Sequence, residues 1–483
     1  MSVNNPLSLG AMLDAAAARR ADTPAIVFKD IRISYAELAA RADAFARGLL
    51  ALGLGPGDHV VIWMPNSVEW NVANFAIAKI GAVTVTCNSR YKGVELEYVL
   101  RQSDAKALVM MDRLETAGID YREILRSVVP DVLWQQDRRI VSAKFPELRH
   151  VIVFGAEHDP GCLGADAVVR RGAKVAPGEL AKIRVAPEAP AAMLYTSGTT
   201  GAPKGCLLSH GNFWYKAREY LALHEWGPDD RCLVPVPYFH IFGALGCITA
   251  NALAGSTQVV MEVFDPEEAL RLIERERVTI FSGVPTMFIT ILGHPGFRDY
   301  NLRSLRTGTI GAAPVPVEMM RKILDREHGL GMDATVVYGL TEATADKIRD
   351  GWLHTGDMGV KDAQGYLRIT GRLSDMIIVG GFNTYPAEIE NFYLRHPKIL
   401  DVSIVGVPDP VLGEVVMAFV IPKAGASLTA QEIRDFAKDQ IANFKIPKYV
   451  EIVSEFPLTG SAKVQKFKQK AWAVETYGLS APA

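Results

Sequence analysis

Ala191-Ala192-Met193-Leu194-Tyr195-Thr196-Ser197-Gly198-Thr199-Thr200-Gly201-Ala202-Pro203-Lys204-Gly205 is the most informative stretch of the chain. A strand-like apolar run leads into a dense Thr/Ser/Gly loop that carries one lysine. Glycine lets backbone N–H groups turn toward an anion with no Cβ in the way. The Ser and Thr hydroxyls add donors, and Lys204 adds a mobile point charge. Thr196, Ser197, Gly198, Thr199, Thr200, Gly201 and Lys204 together suit a polyphosphate. The Walker spacing G-x-x-x-x-G-K-[ST] does not fit here. An ordinary glycine-rich turn is the competing reading, and it leaves so many donors around one lysine unexplained.

Helical and strand periodicities alternate on the N-terminal side of this stretch. Ser34-Tyr35-Ala36-Glu37 reads as a capping box, and Leu38, Ala42, Phe45 and Leu49 follow at helical spacing until Gly53. A short apolar run, Val60 to Met64, stops at Pro65. A helical segment over Val68 to Lys79 and an apolar run over Ala82 to Thr86 follow, with further runs at Ala107–Met111 and Val151–Phe154. On the C-terminal side the pattern continues through Gln258–Met261, Thr279–Phe281 and Ala334–Val337. Helices interleaved with β-branched strands of this length predict an α/β fold with a mainly parallel sheet. The character changes near Gly371. Strands at Val402–Val407, Val415–Ile421 and Val450–Val453, with a helix from Ala430 to Asn443, predict a smaller α+β unit. The expected division is an N-terminal domain of residues 1–372 and a C-terminal domain of residues 373–483.

Composition excludes several classes. Of 483 residues, 49% are hydrophobic and 22% charged, which argues against global disorder. Lys+Arg (52) nearly balances Asp+Glu (54), so no basic excess points to nucleic acid. Cys87, Cys162, Cys206, Cys232 and Cys247 lie far apart with no C-x-x-C, so buried reduced thiols are expected. The opening MSVNNPLSLG has no charged region followed by an apolar one, so no signal peptide is expected. The most apolar stretch, Phe242 to Gly255, is broken by Asn251 and is shorter than the ~20 residues of a membrane span. A cytoplasmic protein with no transmembrane segment is the expectation; the oligomeric state stays open.

The Thr/Ser/Gly loop resembles the phosphate-binding motif of adenylate-forming enzymes: acyl-CoA synthetases, peptide-synthetase adenylation domains and luciferases. Further motifs follow in that family's order. Tyr338-Gly339-Leu340-Thr341-Glu342 resembles its adenine and magnesium motif, and Trp352-Leu353-His354-Thr355-Gly356-Asp357 its ribose motif. Tyr366 to Arg372, Asp375 and Gly380-Gly381-Phe382-Asn383-Thr384-Tyr385-Pro386 resemble the hinge and the thiol-acceptor loop. Pro457-Leu458-Thr459-Gly460-Ser461-Ala462-Lys463 resembles the catalytic-lysine motif. The five motifs span about 280 residues in the expected order.

The resemblance implies roles for these residues, each with a physical reason. Asp357 accepts from the ribose hydroxyls, as carboxylates do in dinucleotide sites. Glu342 serves as an oxygen ligand for Mg²⁺, although an acid also suits a helix start. Thr341 donates to the α-phosphate, and Tyr338 offers a flat face to adenine. Arg372 brings forked donors to ribose or phosphate oxygens. Gly311 and Ala312 belong to the same nucleotide site, and Gly380 and Gly381 to the thiol-acceptor loop. Lys463 supplies the cation needed where a carboxylate attacks the α-phosphorus of ATP while pyrophosphate leaves; without the family, solvated lysines would be the simpler reading. His240, in Pro235-Val236-Pro237-Tyr238-Phe239-His240, stands by the substrate carboxylate, with a structural histidine equally open. Apolar stretches at 242–246, 281–286 and 308–314 favour a fatty, alicyclic or aromatic acid. ATP, Mg²⁺ and coenzyme A are the implied cofactor and co-substrates.

The chain departs from the family at three places. Glu342-Ala343-Thr344-Ala345-Asp346-Lys347-Ile348-Arg349-Asp350 runs straight into Gly351-Trp352, where the family has a small β subdomain; that subdomain is expected to be largely deleted near 344–350. Ser374 stands at the hinge where Asp or Lys is common, and Ala462 precedes Lys463 where Gly is usual. The implied activity is an ATP-dependent acyl-CoA synthetase with a mobile C-terminal lid domain. A deletion-impaired nucleotide-binding remnant and an adenylation enzyme loading a carrier-protein thiol are the alternatives.

Overall fold

The computed structural model describes residues 5–133, 139–196, 203–312, 315, 317–337, 348–349, 352–353, 355, 357–361, 367–372, 375–380, 382–438, 440–459 and 463–479. Contacts gather the chain into two units: residues 1–265 with 275–282, and residues 266–274 with 283–483.

The first unit is built on parallel strands. One sheet runs in the order Lys204–Ser209, Pro190–Thr196, Val83–Thr86, His59–Trp63, Ala107–Met111, His150–Phe154, Leu163–Gly164. Every neighbour pair in it is parallel except the Pro190–Thr196/Lys204–Ser209 hairpin. A second set orders Ile280–Phe281, Arg231–Val234, Thr257–Val260, Pro24–Phe28 and Ile31–Ser34, antiparallel only at the last pair. Strands buried on both faces read as the unbroken apolar runs seen in the sequence.

The helix punctuation works as the residues predict. The Glu37 N–H donates to Ser34 Oγ at 3.2 Å and the Ser34 N–H donates to Glu37 Oε2 at 2.7 Å, closing the capping box. The helix Tyr35–Ala51 follows and buries Leu38, Ala42, Phe45 and Leu49. Each large apolar side chain on that face contributes about 2 kcal/mol. Gly53, at φ +78, ends the helix. Its N–H reaches Leu50 O, and the Leu54 N–H reaches Leu49 O, the two bonds of a Schellman stop.

In the second unit, Thr307–Ile310 and Asp333–Val336 pair in parallel. The C-terminal part is a separate α+β layer. Its five strands order Phe382–Thr384, Ile377–Val379, Gly413–Pro422, Ile399–Asp409, with Tyr449–Ile452 parallel to Gly413–Pro422. It has its own core, including Ile404, Val407, Met417, Val420 and Ile433. The helix expected over Ala430–Asn443 is shorter: it spans Ala430–Ala437, and Lys438 turns out to ψ 132. The turn lets Ile441, Phe444 and Ile446 pack on that core, which one continued helix face would not do.

All five cysteines are buried free thiols. No helix among the described residues is long and apolar enough to cross a membrane. The apolar stretch after His240 is helical, with a π-helical segment Ala244–Thr249 between Ile241–Gly243 and Ala250–Ala254. Asn251 is fully buried there; it donates to Cys247 O and accepts from Ser256 Oγ, both at 2.7 Å.

Candidate active site

The Thr/Ser/Gly loop joins two antiparallel strands whose register pairs Thr196 with Lys204. Its first strand lies parallel to Val83–Thr86, inside the larger sheet. The two ends of the loop therefore leave a rigid frame side by side. Ser197, Gly198, Thr199, Thr200 and Gly201 lie outside the described residues, as does the Thr196 side chain.

His240 caps the short helix that follows it. Its Nδ1 accepts from the Phe242 N–H at 3.3 Å, so a neutral ring carries its proton on Nε2, as a donor. The segment before it is clamped from another part of the unit. Asn66 Nδ2 donates to Val236 O at 3.0 Å, and Asn66 Oδ1 accepts from the Tyr238 N–H at 2.8 Å. The buried Tyr238 hydroxyl donates to Gln258 Oε1 at 2.8 Å, and burial raises its pKa far above the usual phenol range. A Cβ on Gly243 would lie 2.2 Å from Pro237 O, so only glycine lets the helix start directly over that carbonyl. Asn66 carried no sequence signal, because its partners lie some 170 positions away.

In the second unit, Gly311 and Ala312 follow the strand Thr307–Ile310. A Cβ on Gly311 would meet Val337 Cγ2 at 2.9 Å. Ala312 takes φ +73, a left-handed conformation that costs a non-glycine residue about 1–2 kcal/mol and is enriched at functional sites. The strands Asp357–Lys361 and Leu367–Arg372 form an antiparallel pair in which Asp357 stands opposite Arg372. Tyr338, Thr341 and Glu342, with Ser374 and the junction at 344–347 and 350, lie outside the described residues, as do the Asp357 and Arg372 side chains. No cluster of three or more His, Cys, Asp or Glu able to hold a metal is present among the described residues.

Gly380 follows the strand Ile377–Val379, which pairs with Phe382–Thr384 so that Val379 stands opposite Phe382. Its φ of +55 suits glycine, and its N–H donates to Leu412 O at 2.9 Å. Gly381 lies outside the described residues. Lys463 is bonded back to Thr459. Its N–H donates to Thr459 Oγ1 at 3.0 Å, and its carbonyl accepts from the Thr459 N–H at 2.7 Å. Leu458 and Val464 form a β-bridge just outside that clamp; Ala462 lies outside the described residues. The following helix, Lys466–Tyr477, is tied down by the Lys466–Glu390 ion pair at 2.6 Å and by Ser403 Oγ donating to Gln469 Oε1 at 2.7 Å. The structure thus brings Thr196 to Lys204 and Asp357 to Arg372, and ties Lys463 to Thr459.

A parallel α/β body with such a loop, and a small α+β domain carrying a clamped lysine, define the class. The chain belongs to the AMP-binding enzyme family: that family matches residues 13–363, and the AMP-binding enzyme C-terminal domain matches residues 388–463. Its relatives narrow the comparison. YngI of Bacillus subtilis (strain 168), provisionally named an acyl-CoA synthetase, is 36% identical over 544 residues, covering 98% of each chain. The mitochondrial medium-chain acyl-CoA ligase ACSF2 of Bos taurus is 34% identical over 540 residues, covering 95% of this chain and 86% of its own. The anthranilate CoA ligase AuaEII, solved with anthranoyl-AMP, matches with a TM-score of 0.85 at 23% identity, over 99% of this chain and 100% of that one; this likeness speaks for the fold. Both sequence alignments are longer than the 483 residues of this chain. The relatives therefore carry sequence that it lacks.

Proposed function

We propose that the protein is an ATP-dependent acyl-CoA synthetase that activates an apolar carboxylic acid as its acyl-adenylate and passes the acyl group to CoA. The observation that carries this reading is the C-terminal family match, which ends on Lys463, the residue the first half-reaction needs. Nearly full-length relatives named as acyl-CoA ligases support it, and nothing in the comparisons favours a non-catalytic remnant.

The steps follow from charge. The carboxylate and the α-phosphate are both anions, so their approach needs positive charge between them. Lys463 supplies it, while Lys204 and the loop donors hold the phosphates and His240 Nε2–H steadies the carboxylate. Asp357 and Arg372 hold ribose, Tyr338 the adenine, and Thr341 the α-phosphate. Glu342 would hold Mg²⁺, which screens the phosphate charge when bound. Residues 373–483 then turn about Ser374, withdrawing Lys463 and presenting Gly380-Gly381 to the thiol; a hinge needs only to absorb a φ/ψ change. The CoA sulfur attacks the acyl carbon, and AMP leaves with the bonding pair. The acid class rests on the apolar stretches at 242–246, 281–286 and 308–314, and the likeness to the medium-chain acyl-CoA ligase of Bos taurus supports it. A cytoplasmic setting goes with this reading.

The test is carboxylate-dependent ATP–pyrophosphate exchange over fatty, alicyclic and aromatic acids. Lys463→Ala should lower exchange by about 10²–10³-fold while leaving the fold intact, because Lys463 is held through its backbone N–H and carbonyl, both bonded to Thr459. Exchange unaffected by that substitution would remove the lysine from the mechanism.

A further inference from the structure

One helix, Gly93–Gln102, touches both ends of the Thr/Ser/Gly loop. The Tyr98 hydroxyl donates to Pro203 O at 2.7 Å, and the Tyr195 hydroxyl donates to Gln102 Oε1. The two tyrosine rings meet edge-on, with centroids 6.3 Å apart and planes at 75°. Tyr195 immediately precedes Thr196, and Pro203 immediately precedes Lys204. Residues at i and i+4 share a helix face, so a single face grips the residue before the loop and the residue after it. Proline has no N–H, which leaves its carbonyl as the one backbone group by which that corner can be held. The grip is close. A Cβ on Gly205 would lie 2.7 Å from Met193 Sδ and 3.4 Å from Gln102 Oε1.

The Tyr195 ring packs at the edge of the apolar core, but the polar ends of the contact stand at a rim. Val94, on the same helix, is 82% exposed, and Val94, Glu97, Tyr98, Arg101 and Gln102 line an open groove. Phenol and amide groups at such a rim could be satisfied by water; here they are committed to the loop's two ends.

We propose that Tyr98 and Gln102 are positioning residues for triphosphate recognition. They hold Tyr195 and Pro203, the residues next to Thr196 and Lys204, before the nucleotide arrives, so that less ordering opposes binding. The inference rests on reading the loop as the ATP phosphate site. Its effect belongs to ATP and not to the carboxylate.

Tyr98→Phe removes only the hydroxyl and keeps the ring contact. Gln102→Met keeps length and removes the acceptor, and Gln102→Glu restores one. The full chain is assayed by pyrophosphate exchange, and the amides of residues 195–205 by hydrogen exchange. Tyr98→Phe and Gln102→Met should each raise KM for ATP roughly five- to tenfold, the loss of one hydrogen bond. Meanwhile kcat, KM for the acid and the thermal midpoint should stay near wild type, and the 195–205 amides should exchange faster. Gln102→Glu should return both readouts toward wild type. Unchanged ATP KM and unchanged amide exchange would overturn the proposal; so would a uniform loss of kcat, acid KM and thermal midpoint. If the wild type binds no ATP in calorimetry, the nucleotide reading of the loop is what fails, and amide exchange still decides whether Tyr98 and Gln102 hold its ends.

Discussion

Asp401 and Asp409 lie on one strand, Ile399–Asp409, and their surroundings drive them in opposite directions. Burial pushes the Asp401 carboxyl up to about 7, against the Val402 N–H and with Glu390 adding to the rise; Lys466 pulls the other way. The Lys448 ammonium at 2.6 Å, with the Leu412 and Val411 N–H groups, holds Asp409 down to about 2. A raised carboxyl stabilises the fold below its ordinary value near 4, and that contribution is lost as pH rises toward 7. Asp401→Asn keeps an acceptor for Val402 and should raise the thermal midpoint at pH 8 with little change near pH 4. A depressed carboxyl stabilises above its ordinary value, and the contribution is lost as pH falls toward 2. Asp409→Asn should therefore flatten the acid limb of the urea midpoint between about pH 4 and 2. Asp409 also shapes the turn whose Leu412 carbonyl receives the Gly380 N–H, so the same variant tests how the backbone at Gly380 is held. Neither shift was legible in the sequence, because each depends on partners from other strands and helices. The C-terminal domain whose family match ends on Lys463 was legible, because Pro457-Leu458-Thr459-Gly460-Ser461-Ala462-Lys463 carries its context along the chain.

Among the elements, local punctuation predicted structure best. The Ser34–Glu37 box, the helix Val68–Lys79 and the strand Ala107–Met111 stand where their residues place them, since caps and periodicity act within a few residues. The helix from Ala430 was read too long because its ending is set by packing. The stretch after His240 shows the same limit. Asn251 looks like a blemish in an apolar run, yet it satisfies the Cys247 carbonyl and the Ser256 hydroxyl, while its own carbonyl accepts from Tyr35 at 2.8 Å. Asn251→Leu makes the segment more apolar and should still cost about 1–3 kcal/mol by denaturant titration, because buried polar groups lose their partners. A stability gain would show that apolar burial outweighs the network.

For the whole molecule, the alignments place more sequence in the relatives than in this chain. A gap near 344–350 would remove sequence that stands just before the Asp357–Lys361 strand. Inserting the corresponding stretch of YngI between Thr344 and Trp352 should raise both the thermal midpoint and the rate of pyrophosphate exchange. No change in either would mean the short junction closes the domain unaided. The sequence by itself determined the α/β class, the alternation of elements, the ordered motifs and the lysine at residue 463, because each is written in neighbouring residues. Only the tertiary structure decided that Asn66 clamps the His240 segment, that Asp357 stands opposite Arg372, and that Tyr98 and Gln102 grip the loop ends. Those contacts join residues far apart in the chain, and spacing carries no record of which distant groups will meet when the core closes.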